Sequence, residues 1–120
     1  MPHGVTIDIP ADDPERAKEF YNGLFGWAME RVPAPNMDYW TIRSPNGEHV
    51  GGLLRRGGPG EYPLNFFTVT NIDDQINKVE ALGGQVMIPK ITIPHAGYRA
   101  QCSDTEGNVF GLWQNDHAAR

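Results

Sequence analysis

In "GVTIDIP", Val5, Ile7 and Ile9 alternate with Thr6 and Asp8, the two-residue period of a half-buried strand. The period then changes. Across "ADDPERAKEFYNGLFG", the apolar residues Ala17, Phe20, Tyr21, Leu24 and Phe25 recur at i, i+3, i+4, i+7 and i+8, a single apolar stripe along a helix. Asp13 suits the N-cap, Pro14 the first helical position and Glu15 the positive helix end, while Gly26 is a stop signal. Three strand-like runs follow, "WAMERV", "DYWTIR" and "HVGGLL", and Asn46-Gly47 marks a hairpin between the last two.

The same order then recurs. "NFFTVTNIDD" reads as a strand leading to an Asp73 cap, and Ile76, Val79 and Leu82 predict a short amphipathic helix that ends at Gly83-Gly84. "QVMIPKI", "GYRAQC" and "NVFGLWQ" read as strands, with "SDTEGN" as the last hairpin turn. Asp13 aligns with Asp73 sixty residues on, and Tyr39, Val50, Gly52 and Leu53 align with Tyr98, Val109, Gly111 and Leu112 fifty-nine residues on. The chain is thus two copies of a β-α-β-β-β unit, joined through the Gly- and Pro-rich "LRRGGPGEYP". One unit has too little helix to cover both faces of its own sheet. The expected architecture is α+β: one domain over residues 1–120, with module one about 4–57 and module two about 62–115. The modules would pair, with curved mixed sheets around a shared cleft and helices outside.

Composition narrows the classes. Apolar residues make up 39% and charged residues 21% of 120 residues, with a net charge of −5. This is ordinary for a globular chain and gives no basic face for nucleic acid. No window approaches the roughly 20 apolar residues of a membrane helix, and "MPHGVTIDIPADD" lacks the pattern of a signal peptide. Cys102 is the only cysteine, which excludes an internal disulfide and a thiolate metal cage and makes a reducing cytoplasm the expected location. There is no G-x-S-x-G nucleophile motif, and "GGPG" does not lead from a strand into a helix as a phosphate loop would.

The runs "IPADDPERAKEFYNGLFGW" and "DTEGNVFGLWQ", with the repeated layout, resemble the vicinal oxygen chelate superfamily, which includes glyoxalase I, extradiol dioxygenases and bleomycin-resistance proteins. The likeness covers roughly residues 4 to 115 and is closest to its small glyoxalase-like bacterial members. It implies paired βαβββ modules, often in homodimers. Superfamily enzymes hold a divalent metal with one residue from the first and one from the last strand of each module, commonly His and Glu. Carried over, these positions fall on Thr6, on Gly52 (Gly51 if the register slips), on Leu64, Asn65 or Phe66, and on Gly111. None is a good ligand for a divalent metal. Glycine at Gly52 and Gly111 would widen a cleft floor, let a ligand lie against the backbone, or serve a bulge.

Other candidates come from strand parity. Asp8 shares parity with Thr6, and Trp113 with Gly111, so these four would line a ligand pocket. Tyr39, Trp40, Tyr98 and Gln101 lie on strands whose facing the pattern leaves open, and Tyr98 and Gln101 are counted with the pocket. Of four histidines, His3 and His117 fall near the chain ends and His49 at a strand start, while His95, in "IPHAGYR", could line the cleft. Asp8, His95 and Tyr98 are the candidates for acid/base work. The expectation is a cytoplasmic homodimer that binds a small organic ligand without metal or other cofactor, and without nucleic acid or membrane. The alternative is a lyase, isomerase or dioxygenase related to lactoylglutathione lyase, with a displaced metal site or metal-free acid/base chemistry. A subunit that modulates a partner is the third reading.

Overall fold

The computed structural model describes residues 4–34, 37–57 and 61–120; His3 and the centre of the Gly/Pro joint lie outside them. Internal contacts divide the chain into two units, Thr6–Pro63 and Leu64–Arg120 with Met1–Val5.

The first unit holds β1 (Val5–Ala11), α1 (Pro14–Phe25), β2 (Ala28–Ala34), β3 (Met37–Arg43) and β4 (His49–Arg55). Its sheet runs β2-β3-β4-β1, antiparallel except for the parallel β1–β4 pair. The α1 signals act as expected. Asp13 accepts a hydrogen bond from the Arg16 amide at 3.1 Å, and Gly26 ends the helix in the left-handed region at φ 71°. One sheet face carries Ile9, Ala11, Trp40, Ile42 and Leu53, packed with Ala17 and Tyr21 of α1. Burial of this stripe is what fixes the helix on the sheet.

The second unit repeats the plan with β5 (Leu64–Thr68), α2 (Ile72–Ala81), β6 (Gln85–Ile93), β7 (Gly97–Ser103) and β8 (Val109–Asn115). Its sheet runs β5-β8-β7-β6, with β5 and β8 parallel. Val69, Ile72, Ala100, Cys102 and Leu112 form its core, with Ile76 and Val79 of α2 against it. Both units are therefore βαβββ modules with mixed sheets, an α+β fold.

The repeat is not at a constant spacing, which corrects three of the sequence correspondences. The cap of α2 is Asn71, whose Oδ1 accepts from the Asp74 amide at 3.0 Å. Asn71 rather than Asp73 therefore answers Asp13, fifty-eight residues on. Asp73 instead pairs with Lys90 at 3.1 Å. Strand pairing sets Thr41 opposite Gly52 and Gln101 opposite Gly111, so Tyr39 answers Arg99 rather than Tyr98. A bulge explains the slip. Ile42 pairs with Gly51 but Arg43 pairs with His49, which leaves Val50 as an extra residue in β4. The β7–β8 register has no such break, so His49 rather than Val50 answers Val109.

His49, beside this bulge, has an imidazole pKa held below its usual value. Burial is the main cause and the Arg43 guanidinium adds to it, against a backbone hydrogen bond at Gly51 that acts the other way. A group depressed on folding binds fewer protons in the native state than in the unfolded chain. Its contribution to stability is therefore present above its unfolded pKa of about 6.5 and lost as the pH falls through the folded value. In urea unfolding, the stability difference between wild type and His49→Gln is expected to shrink as the pH falls below about 6.5. A difference that stays flat with pH would refute the assignment.

Candidate functional site

Each sheet has a second face, turned away from its helix, and this is where most of the expected pocket residues lie. In the first module, Ile7 and Ile9 pack towards α1, so alternation turns Thr6 and Asp8 to the other side. Asp8 sits directly across from Gly52 and is 6% exposed. In the second module Gln101, Gly111 and Phe66 lie side by side across β7, β8 and β5. Trp113 shares their face and is buried; its Nε1 donates to Asn115 Oδ1 at 2.8 Å. Of the three first-strand alternatives, it is Phe66 that stands directly opposite Gly111.

The two glycines are covered. A Cβ built on Gly52 would fall into the ring of Tyr39, 2.6 Å from its Cε2. One built on Gly111 would fall into the ring of Phe66, 2.5 Å from its Cγ. At Gly97 it is backbone that closes the space, since the Gln114 carbonyl oxygen lies nearest a built Cβ, with Trp113 Cζ2 next at 2.9 Å. At Gly52 and Gly111 an aromatic side chain from a neighbouring strand occupies the space where a side chain would stand, which restores packing that a glycine in a strand forgoes. Tyr39 reaches Gly52 diagonally from its own partner Leu54, a spacing long aromatic side chains span. Above Phe66, the guanidinium of Arg99 stands 4.7 Å from the ring centre, and Arg99 is 4% exposed. Such stacking favours a desolvated cation.

Two expected pocket residues lie elsewhere. Tyr98 packs on the α2 side of its sheet. Its hydroxyl donates to Asp116 Oδ2 at 3.2 Å and Lys90 stands 5.0 Å over its ring. Burial, then the Asp116 hydrogen bond, raises its pKa above the usual tyrosine value, so it stays protonated at neutral pH. His95 is exposed in the turn between β6 and β7, with φ 64°, and its amide donates to the Ala119 carbonyl at 2.9 Å. The left-handed conformation is one that histidine adopts more readily than most residues. Cys102 is buried, and its pKa is pushed up by that burial and by Glu80, the opposite of an activated thiol. Three residues not counted with the pocket build these faces: Tyr39, whose facing the pattern left open, Phe66, one of three alternatives for a carried-over metal position, and Arg99. The one signal for them is a bulky side chain within diagonal reach of a strand glycine.

The divalent metal of the superfamily's enzymes does not fit these residues. Two of its carried-over positions are glycines, and a carboxylate at either would have to displace Tyr39 or Phe66. Thr6 and Leu64 supply at most a hydroxyl. Among the described residues, no group of three His, Cys, Asp or Glu side chains converges as a metal site.

The sequence model of the Glyoxalase/Bleomycin resistance protein/Dioxygenase superfamily matches residues 4–112, and the chain belongs to that superfamily. Over 114 residues it is 34% identical to the "Putative glyoxylase CFP32" of Mycobacterium tuberculosis, an alignment spanning 90% of this chain and 44% of that protein. Over 124 residues it is 26% identical to the "Anthracycline biosynthesis protein DnrV" of Streptomyces peucetius, spanning 90% and 45%. The chain thus spans about half the length of these curated relatives. Among solved structures, the methylmalonyl-CoA epimerase of Mycobacterium tuberculosis superposes with a TM-score of 0.76 at 12% identity, over 96% of this chain and 89% of that one. At that identity the likeness is one of fold. No helix among the described residues is long and apolar enough to cross a membrane.

Proposed function

We propose that this chain binds a small organic molecule without a metal, as bleomycin-resistance proteins do, and sequesters it rather than transforming it. The observation that carries the reading is the pair of covered glycines. At the last-strand position where the superfamily's enzymes carry a metal ligand, both modules have no side chain and an aromatic ring in its place. On the face turned from its helix, the first module sets half-buried Thr6 near the ring of Tyr39, and the second sets half-buried Gln101 beside the rings of Phe66 and Trp113, so each module by itself offers the polar-and-aromatic mixture that small-molecule sites use. A cytoplasmic setting accords with the single cysteine.

Thermal melting with zinc, nickel, manganese, iron(II) or magnesium tests the metal-free part. No shift is expected, and elemental analysis of untagged protein purified without chelators should find well under one equivalent of any of them. A near-stoichiometric metal would overturn the reading. A melting screen of small organic compounds tests the binding part. The panel should include anthracyclines, because a relative is named for their biosynthesis. A compound at a hundredfold excess over its Kd stabilises the fold by about 2.7 kcal/mol, a shift that melting resolves.

The second reading, an enzyme, is favoured by the relative named a glyoxylase and by the epimerase that shares the fold. A lyase acting on the methylglyoxal–glutathione adduct would show turnover in the metal-supplemented protein. None is expected, since fold does not carry that chemistry without its ligands.

A further inference from the structure

Asn-Gly occurs twice in the chain, at Asn22-Gly23 and Asn46-Gly47, and the fold puts the two pairs in opposite settings. Both asparagines are exposed, so access to water does not separate them. Asn22 lies within α1, where the Gly23 amide is committed to the helical ladder. Its Nδ2 donates to the Trp27 carbonyl at 3.0 Å, and its own carbonyl accepts from the Gly26 amide at 2.8 Å. Asn46 lies in the turn between β3 and β4. Only the bond from the Gly47 amide to the Ser44 carbonyl, at 2.8 Å, holds the following nitrogen there, and Gly47 has no side chain to hinder approach to it. The Ser44 hydroxyl donates to Asn46 Oδ1. Ser44 Oγ in turn accepts from the Glu48 amide at 3.1 Å, which leaves its own proton for Asn46.

We propose that Asn46 is a site of self-modification, at which the Gly47 amide nitrogen attacks Asn46 Cγ, assisted by the Ser44 hydroxyl, and the asparagine becomes aspartate or isoaspartate. Solvent base takes the Gly47 amide proton, the nitrogen bonds to Cγ, and the carboxamide nitrogen takes up a proton and leaves as ammonia. Water then opens the cyclic imide at either of its carbonyls. The sum is a water consumed and an ammonia released, with no oxidant or reductant. As the tetrahedral intermediate forms, negative charge gathers on Oδ1. Ser44 already donates to that atom, the placement by which a preset donor stabilises an oxyanion.

The setting decides the rate. Freeing the Gly47 nitrogen takes the loss of one hydrogen bond in an exposed turn. Freeing that of Gly23 takes the unwinding of a helix whose Tyr21 stacks on Trp27, ring centres 5.3 Å apart. Openings of the first kind cost far less than those of the second. The turn itself does not require asparagine. In the second module the Asp104 amide donates to the Asn108 carbonyl at 2.9 Å, as the Ser44 amide donates to the Glu48 carbonyl at 2.9 Å, and Glu106 stands where the first module has Asn46. Each conversion adds a carboxylate close to Arg43, whose Nη1 donates to the Gly47 carbonyl at 3.2 Å. The isoaspartate form also adds a methylene to the backbone of the turn.

Incubation of the folded protein at neutral pH, with tryptic peptides 44–55 and 19–31 followed by mass, tests the proposal. Asn46 is expected to convert at least about tenfold faster than Asn22, and the two rates to converge in urea. Ser44→Ala should slow Asn46 several-fold in the folded protein. That variant also frees the Glu48 amide, so a turn reacting through looseness alone would react faster. Ser44→Thr keeps a hydroxyl and should keep the rate. Asn46→Glu, which copies the second module, should abolish the ammonia released by the folded protein. An Asn46 that stays intact, or that converts no faster than Asn22, would overturn the site, as would ammonia release unchanged by Asn46→Glu. Ser44→Ala reacting as fast as wild type or faster, or Ser44→Thr as slowly as Ser44→Ala, would overturn the part given to the hydroxyl.

Discussion

Gly51→Ala is expected to lower stability by at least about 3 kcal/mol, at the upper end of what overpacking a well-packed site costs. The reason is the parallel pairing of β1 and β4, which sets Gly51 against Ile7. A Cβ at Gly51 would overlap the Ile7 carbonyl and stand 2.7 Å from both its carbonyl carbon and its amide nitrogen. These are backbone atoms in the middle of a strand, so no rotamer change relieves the clash. The two strands must part, and hydrogen bonds on which the module's sheet depends go with them. Gly47 is the control. Its φ of 86° demands a left-handed residue, but a Cβ there meets nothing within 4 Å, so Gly47→Ala should cost only the conformational strain of about 1–2 kcal/mol. Urea unfolding of the two variants side by side gives the comparison. For a chain of this size, 3 kcal/mol corresponds to a melting shift of roughly 12 °C. A Gly51→Ala variant no less stable than Gly47→Ala would show that β1 and β4 do not approach as described.

The elements themselves were legible because each rests on a local cause. The α1 cap at Asp13, its Pro14 start and its Gly26 stop are chemistry within a few residues, and all three act as the pattern predicts. The two-residue and 3.6-residue periods located every strand and both helices, since burial of one face is what writes those periods into a chain. The failures are of register. Asp73 is as good a cap residue as Asn71, and hydrophobic spacing does not choose between caps two residues apart. The bulge at Val50 inserts one residue without altering any local preference, yet it shifts the repeat by one, so that the counterpart of Tyr39 is Arg99, on the face turned from α2, and not Tyr98, which packs on the helix side.

The candidate site was half legible for the same reason. Parity placed Thr6, Asp8, Gly111 and Trp113 on the faces turned from the helices. It did not reveal what lies over Gly52 and Gly111, because a ring that reaches diagonally from a neighbouring strand belongs to no sequence period. Glycine in an apolar strand raised the right question, but its answer is in the side chain of another strand. The expected vacancy over each glycine is a contact.

That contact carries the second large effect. Phe66→Ala is expected to cost about 3–5 kcal/mol, the range for truncating a buried aromatic ring. Phe66 is 2% exposed, covers Gly111 and bears the Arg99 guanidinium. Its loss opens a cavity and takes away the face on which a nearly buried cation rests, a stacking worth up to about 2 kcal/mol when desolvated. Gly111→Ala alone should cost about 1–3 kcal/mol by overpacking, because its new methyl meets the ring. The double variant distinguishes this account from two independent injuries. With the ring gone, the methyl of Ala at 111 partly refills the space, so Phe66→Ala/Gly111→Ala should be more stable than the sum of the single losses predicts, by at least about 1 kcal/mol of coupling. Denaturant unfolding of the four proteins in one cycle measures it. Strict additivity would mean that the ring of Phe66 does not lie on Gly111, and the metal-free proposal would lose its support in the second module. The parallel cycle on Tyr39 and Gly52 asks the same of the first.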